Sequence, residues 1–213
     1  LVMMAWEYYI QTGDREFLTV HYEGLRRKTL IGLTDDNGLI STRTGRMTRT
    51  FLDSINLPVR ASLRDIVDWP QGPPEGQAPR SNQSPVKGGE TDEFVYTDYN
   101  AVVNAFHNHT LVLMSRIARA VGDTSDQAFF AARSEKHQQV FYQAFFDEGS
   151  GRFTDGIGTN HASLHANMFP LAFGLVRAEH VPSVTQFIIS RGMACSVYGA
   201  QYLLEALYNG GAP

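Results

Sequence analysis

The chain has 213 residues, of which 43% are hydrophobic and 19% charged, and its formal net charge is -4. This length suffices for one domain or a large part of one, and the composition excludes a disordered chain. The weak negative charge, without long runs of one sign, gives no indication of nucleic acid or a membrane as partner. No apolar run approaches the roughly 18 residues of a membrane span. A single cysteine, Cys195, excludes an intrachain disulfide and leaves the compartment open between cytoplasm, periplasm and extracellular space.

The first part of the chain predicts two consecutive helices. Residues 1–11 are apolar on nearly all sides, which predicts a buried helix. Gly13 is suited to end it, and Asp14 to cap the next helix. That second helix is predicted from about residue 15 to 33. Its predicted inner face consists of Phe17, Leu18, Tyr22, Leu25 and Ile31.

The same pattern returns about a hundred residues later. A long helix is predicted from about residue 100 to 121, followed by Gly122 and a cap at Asp123, Thr124 or Ser125. The next helix is predicted to reach about residue 146. Repeated helix pairs of this kind are typical of a bundle, a solenoid or an α/α toroid.

Three shorter helices are predicted in the last third of the chain. Residues 162–174 predict a helix that is interrupted or bent at Pro170, because proline lacks the backbone N–H. Pro182 suits the first turn of a helix that reaches about residue 190. The last helix is predicted over 198–208, ending at two glycines.

Two stretches, about 35–60 and 70–98, lack helical periodicity and are rich in turn-forming residues. Loops of this length in a compact domain are usually functional or mobile. We found no sustained alternation of period two, so at most short strands are expected, within these loops.

Asp68 and Trp69 stand where the second loop begins. An indole face can stack on the C–H face of a sugar ring, and a nearby carboxylate can accept hydrogen bonds from hydroxyl groups. The alternative is a tryptophan that anchors the loop to the core. The residues alone do not decide between a tryptophan that stacks on a sugar and a tryptophan that anchors the loop.

Four histidines have spacings that bear on function. His161 and His165 are four apart, as on one helix face, a spacing that can bind zinc. No third ligand and no intervening glutamate accompany them, so we predict no metal there and expect hydrogen bonds to a substrate hydroxyl or a neighbouring helix. His107 and His109 are two apart on a helix and are expected to be structural or exposed.

The acidic residues Asp92, Glu93 and Asp98 precede the long helix. They are interpreted as charges that complement its N-terminal dipole, the alternative being an active-site carboxylate. Asp155 with the following glycine predicts a turn. Cys195 lacks an identifiable base and is expected to be an inert buried thiol. Gly192 and Gly199, on either side of it, are expected to allow the chain to enter the last helix closely packed.

Several motifs in order resemble one known family. The segments are TDYNAVVNAFHNHTLVLMSRIARAVGDTSDQAFF, FFDEGSGRFTDG, HASLHANMFPLAFGLV and RGMACSVYGAQYLLEALYNGG, with EYYIQTGDREFL and IVDWP upstream. Together they resemble bacterial α-L-rhamnosidases, glycoside hydrolases with an all-α catalytic (α/α)6 toroid of the six-hairpin type. The resemblance covers most of the chain and is most specific over residues 99–211.

The resemblance implies inverting hydrolysis of terminal α-linked L-rhamnose, a carbohydrate substrate and no cofactor. It implies a general acid from a motif upstream of this stretch and a base glutamate from a later helix, so no catalytic residue is assigned here. The substrate-binding residues that we predict are Trp69, Asp68, His161, His165 and Tyr198.

A complete toroid has twelve helices, and about six or seven are predicted here. The chain also opens within a predicted helix and without methionine. We therefore expect residues 1–213 to be part of one toroid domain whose remainder lies elsewhere in a parent polypeptide. Alternatives are a non-catalytic carbohydrate-binding toroid, or another α/α-toroid glycosidase or polysaccharide lyase.

Overall fold

A computed structural model describes residues 1–58, 63, 65–68 and 90–212. As predicted, the described chain is mostly helical. The helices are α1 (Val2–Thr12), α2 (Arg15–Arg27), α3 (Arg49–Ser54), α4 (Ala101–Val121), α5 (Thr124–Phe145), α6 (Leu164–Ala172), α7 (Val181–Arg191) and α8 (Val197–Asn209). Two short strands, β1 (Phe146–Asp147) and β2 (Arg152–Phe153), pair antiparallel.

The chain forms two compact units. Unit 1 comprises Leu1–Arg64 and Phe106–Gln143, and unit 2 comprises Asp65–Ala105 and Ala144–Pro213. The first unit contains the two predicted Gly-Asp turns, and the second contains most of the candidate site residues.

The two Gly-Asp turns of unit 1 have the same geometry. Gly13 (φ 69°) and Gly122 (φ 92°) are left-handed, a conformation that glycine adopts without a steric penalty. In each case the following aspartate caps the next helix through the N–H three residues on: Asp14 accepts from Phe17 at 2.9 Å, and Asp123 from Asp126 at 2.9 Å. The predicted repeat is confirmed at both places.

The core of unit 1 includes three residues of the predicted inner face of α2, since Leu18, Tyr22 and Leu25 are buried in it. Two expectations about its helices are wrong. The second helix ends at Arg27, not near residue 33, because Leu30 takes a left-handed conformation (φ 60°) and only a short 3₁₀ turn follows. The first helix is not buried all round: of its residues only Val2 and Ala5 are buried, although Trp6 and Tyr9 pack against the core in part.

The predicted non-helical stretch at 35–60 includes the short helix α3, which Thr48 caps by accepting from the Phe51 N–H. Of the stretch at 70–98, residues 70–89 lie outside the described part, 90–93 form a turn, and 94–98 are in neither helix nor strand. The two strands also lie outside the loops in which strands were expected.

Helix α6 is the centre of unit 2, since all nine of its residues are buried. It packs against α7 and α8. The helix continues through Pro170 for two more residues, so an interruption there is wrong, while the alternative of a bend stays a prediction. Asn167 of α6 binds the backbone of β2: its side chain accepts from the Phe153 N–H at 2.9 Å and donates to the Phe153 carbonyl at 3.0 Å.

Helices α7 and α8 follow the predicted start and stop signals. Pro182 lies in the first turn of α7, and Gly210 follows the end of α8. Within the described residues, no helix combines the length and the apolar character needed to cross a bilayer.

Candidate functional site

Two buried carboxylates from distant parts of the sequence hold the start of α6. Asp92 accepts from the Leu164 N–H at 2.5 Å, and Asp155 accepts from the Ser163 N–H at 2.8 Å. The Arg191 guanidinium at the end of α7 donates to Asp92, with Nε at 2.9 Å. Because the first N–H groups of a helix lack intrahelical acceptors and carry partial positive charge, anionic oxygens are favourable there.

This geometry corrects the predicted role of Asp92. It was expected to complement the N-terminus of the long helix, now α4, but its carboxylate caps α6. The cap of α4 is Asn100, whose Oδ1 accepts from the Val103 N–H at 2.8 Å. Proximity in sequence suggested the wrong helix, because the donors that bind this carboxylate come from α6 and α7.

Asp155 also orients His161. Its Oδ2 accepts from the Val95 N–H at 2.8 Å and from Nδ1 of His161 at 2.6 Å, while the Asp155 side chain is completely buried. Nδ1 must be the donor, since an ionised carboxylate only accepts. The His161 side chain is 33% exposed, and no hydrogen bond within the described residues uses its Nε2. The imidazole is therefore fixed at one nitrogen and available at the other.

Asp68 joins α6 to α8. Its Oδ2 accepts from the Ser196 N–H at 2.9 Å and from Nε2 of His165 at 2.8 Å, and its Oδ1 accepts from the Ser196 hydroxyl. The Ser196 hydroxyl oxygen in turn accepts from the N–H groups of Tyr198 and Gly199, which caps α8. One carboxylate thus fixes both the His165 ring and the first turn of the last helix.

His165 is completely buried. Because Nε2 donates to Asp68, Nδ1 is an acceptor in the neutral ring, and in the described part of the chain it has no hydrogen-bond partner. A side chain enclosed in this way can orient other groups but cannot touch a ligand in this conformation. Its predicted contact with substrate stays a prediction, and burial favours a positioning role.

The close approach of α8 to Asp68 requires Gly199. A Cβ at this position would lie 2.8 Å from Asp68 Oδ2 and 3.0 Å from the Cys195 Cβ. The predicted close packing is therefore confirmed at Gly199. It is wrong at Gly192, where a Cβ would meet nothing within 4 Å. Cys195 is buried as expected, and burial together with the charge of Asp68 raises the pKa of its thiol to about 11. It is protonated at neutral pH and is not an activated nucleophile.

His161 and His165 do not share a helix face. Helix α6 begins at Leu164, so His161 lies in the segment before it, and the two rings bind different carboxylates, Asp155 and Asp68. The described residues contain no group of three His, Cys, Asp or Glu side chains that could hold a metal ion. The absence of a metal at these two histidines stays a prediction.

Two predicted site residues remain, Tyr198 and Trp69. Tyr198 lies in the first turn of α8 with 75% of its surface exposed. Trp69 lies outside the described residues, although the preceding residue, Asp68, is firmly held.

An open polar cleft of about 600 Å³ lies beside the hairpin of unit 2. It is lined by the end of α5, by β1 and β2, and by residues 154–160, which lead to His161. Gly156 on this wall has no room for a side chain, because a Cβ would lie 2.1 Å from Thr97 Oγ1. The cleft is wide enough for a sugar residue and has mostly polar walls.

The comparison with known families is decisive for identity. The model of the bacterial alpha-L-rhamnosidase 6 hairpin glycosidase domain matches residues 1–213, the whole chain. The chain belongs to this family. A search of curated proteins gave no significant match.

Sequence reasoning missed two residues of this six-hairpin glycosidase domain that organise the site. Ser196 precedes the predicted last helix and is a good N-cap type, so a cap could have been predicted there. Arg191, which pairs with Asp92 across 99 positions of sequence, gave no local signal. Its pairing depends on how α7 packs in the rhamnosidase-family fold.

Proposed function

We propose that the protein hydrolyses terminal α-L-rhamnosyl linkages of glycosides or polysaccharides with inversion at the anomeric carbon. The observation that carries this proposal is the match of the rhamnosidase-family glycosidase domain over all 213 residues. The open polar cleft and the partly exposed, carboxylate-oriented His161 in unit 2 support a carbohydrate ligand.

Inverting hydrolysis needs a general acid and a general base, with carboxyl groups roughly 6.5–9.5 Å apart. Asp68, Asp92 and Asp155 are poor candidates, because N–H and O–H donors of the protein occupy their oxygens. We assign them to positioning. The acid and the base are proposed to come from the parent polypeptide outside residues 1–213, as the resemblance implies, so this chain alone is expected to be inactive.

The proposed sugar contacts are Trp69, Tyr198 and His161. Asp68, which directly precedes Trp69 in the sequence, binds Ser196, two residues before Tyr198. Aromatic faces suit the apolar side of a pyranose. Nε2 of His161 can accept a hydrogen bond from a sugar hydroxyl.

The test uses the complete protein and an aryl α-L-rhamnoside. Tyr198→Ala is compared with Tyr208→Ala, since both tyrosines are on α8 and are equally exposed, at 75% and 76%. We expect only the first variant to raise KM, by about five-fold or more for the loss of roughly 1 kcal/mol of ring contact. Trp69→Ala should raise KM as well and leave the melting temperature nearly unchanged.

The outcomes separate the alternatives. No turnover of any aryl glycoside by the complete protein, with rhamnose binding retained, would favour a non-catalytic carbohydrate-binding domain. Turnover of a different glycoside would overturn the proposed substrate. A large loss of stability in Trp69→Ala with unchanged KM would mean that the indole anchors the loop.

A further inference from the structure

A second, smaller cavity lies in unit 1. Its volume is about 280 Å³, near the lower end for small-molecule sites. It lies between the turn at residues 34–38, the α4 residues His107 and Leu111, and the α5 segment from Arg133 to Val140. None of these residues belongs to the candidate site of unit 2.

His107 gives the cavity a buried acceptor. Its Nδ1 lies 3.0 Å from the Thr29 carbonyl oxygen. A carbonyl only accepts, so Nδ1 carries the hydrogen and Nε2 has the lone pair. The side chain is buried, it lines the cavity, and within the described residues no hydrogen bond is made by its Nε2. A ligand that satisfies this nitrogen must offer a hydrogen-bond donor.

His137 is the second imidazole that lines the cavity. The Asn108 amide donates to the Ser134 carbonyl at 2.8 Å and to Nδ1 of His137 at 3.3 Å, which leaves the hydrogen of His137 on Nε2. The two imidazoles meet edge to face, with centroids 5.1 Å apart. Burial, the largest cause for both rings, lowers the pKa of His107 to about 3 and that of His137 to about 4. Both rings are therefore neutral at neutral pH.

The rest of the lining restricts the ligand further. Leu111 and Val140 provide an apolar wall, and Lys136 and Arg133 add donors. A carboxylate would satisfy these cations, but it has no donor for His107 Nε2. Asp35 and Asp36 also line the cavity, and their negative charges disfavour any anion, phosphate included. A neutral ring with several hydroxyl groups offers donors, acceptors and an apolar face together.

We propose that this cavity binds one neutral, polyhydroxylated ring, a monosaccharide unit, as an accessory carbohydrate site of unit 1. His107 Nε2 accepts from one hydroxyl, Lys136 and Arg133 donate to others, and the ring face lies against Leu111 and Val140. The site goes beyond the proposed hydrolysis and does not depend on it.

The test follows the ¹⁵N resonance of His107 Nε2 in the complete protein during titration with L-rhamnose, D-glucose or inorganic phosphate. At least one sugar is expected to shift it saturably, and phosphate is not. Val140→Phe fills the cavity without removing a polar group and should weaken sugar binding about ten-fold or more. His107→Asn keeps a donor for Thr29 and removes Nε2, so it should cost about five-fold, the worth of one hydrogen bond.

Glu135→Ala is the matched control, because Glu135 is exposed on the same helix and does not line the cavity. The proposal is overturned if neither sugar moves the His107 resonance, if phosphate alone binds, or if Val140→Phe leaves sugar affinity unchanged. Should His107→Asn fail to fold, Val140→Phe still decides. Because the readout is local to unit 1, failure here is independent of the result for hydrolysis.

Discussion

Replacing Asp68 tests whether one carboxylate organises the site of unit 2. Asp68→Ala removes the acceptor of the Ser196 N–H, the Ser196 hydroxyl and the His165 Nε2–H. The hydroxyl can rotate toward another acceptor, but the N–H and the imidazole N–H are buried and have fixed directions.

Leaving a buried donor unsatisfied costs about 1–3 kcal/mol, so two such donors predict a loss of about 2–6 kcal/mol in the free energy of unfolding. A protein of this size loses about 2–4 °C in melting temperature for each kcal/mol. The melting temperature is therefore expected to fall by about 4–24 °C. Asp68→Asn keeps one oxygen that can accept both fixed donors, and its amide can donate to the Ser196 hydroxyl oxygen, so about half the loss is expected.

The assay is thermal and urea unfolding, with kcat/KM measured on the complete protein below the melting temperature. Asp36→Ala is the control, since Asp36 is exposed and pairs only with Arg46 on the surface; no measurable change is expected. We expect kcat/KM to fall in both Asp68 variants, because the first turn of α8, which carries Tyr198, loses its anchor. An Asp68→Ala protein that melts within about 2 °C of the wild type would refute the proposed role of these hydrogen bonds.

Three further predictions concern stability. The pKa values of His107 and His137 are lowered to about 3 and about 4 in the folded protein, so above pH 6.5 both rings are neutral in the folded and in the unfolded chain. Below that pH only the unfolded chain binds these protons. As the pH falls from 6.5 to about 4, each of these two histidines should therefore lower the free energy of unfolding by up to about 1.4 kcal/mol per pH unit. Equal urea midpoints at pH 7 and pH 5 would contradict this. Gly199→Ala should destabilise by about 1–3 kcal/mol through the contact with Asp68. Gly24→Ala on α2 should stabilise by about 0.5–1 kcal/mol, because a Cβ there would meet nothing within 4 Å. Similar effects of the Gly199 and Gly24 variants in urea unfolding would exclude the steric argument. Thr185→Val should raise the melting temperature slightly, because the Thr185 hydroxyl is buried without a hydrogen-bond partner among the described residues; a lower value would indicate a bond to water.

Local sequence determined most of the helical framework. Helix periodicity and short-range stop and cap signals act within one or two turns, so Gly13 with Asp14 and Gly122 with Asp123 could be recognised directly. The same holds for the ends of α7 and α8. The order of several motifs also pointed to the rhamnosidase family, although no single one was sufficient. The early end of α2 was missed, since its apolar spacing continues past Arg27 while the backbone changes at Leu30.

Tertiary structure alone decided how the candidate site is assembled. The spacing of His161 and His165 suggested one helix face, yet their rings bind Asp155 and Asp68, because α6 begins between them. Asp92 reaches a helix that starts 72 positions later in the sequence. A carboxylate can be satisfied by any donor that packing brings within about 3 Å, and this choice depends on the fold and not on neighbours in the chain. The sequence could therefore identify candidate site residues. Only the packing of α6, α7 and α8 distinguished buried positioning groups such as His165 from exposed side chains such as Tyr198.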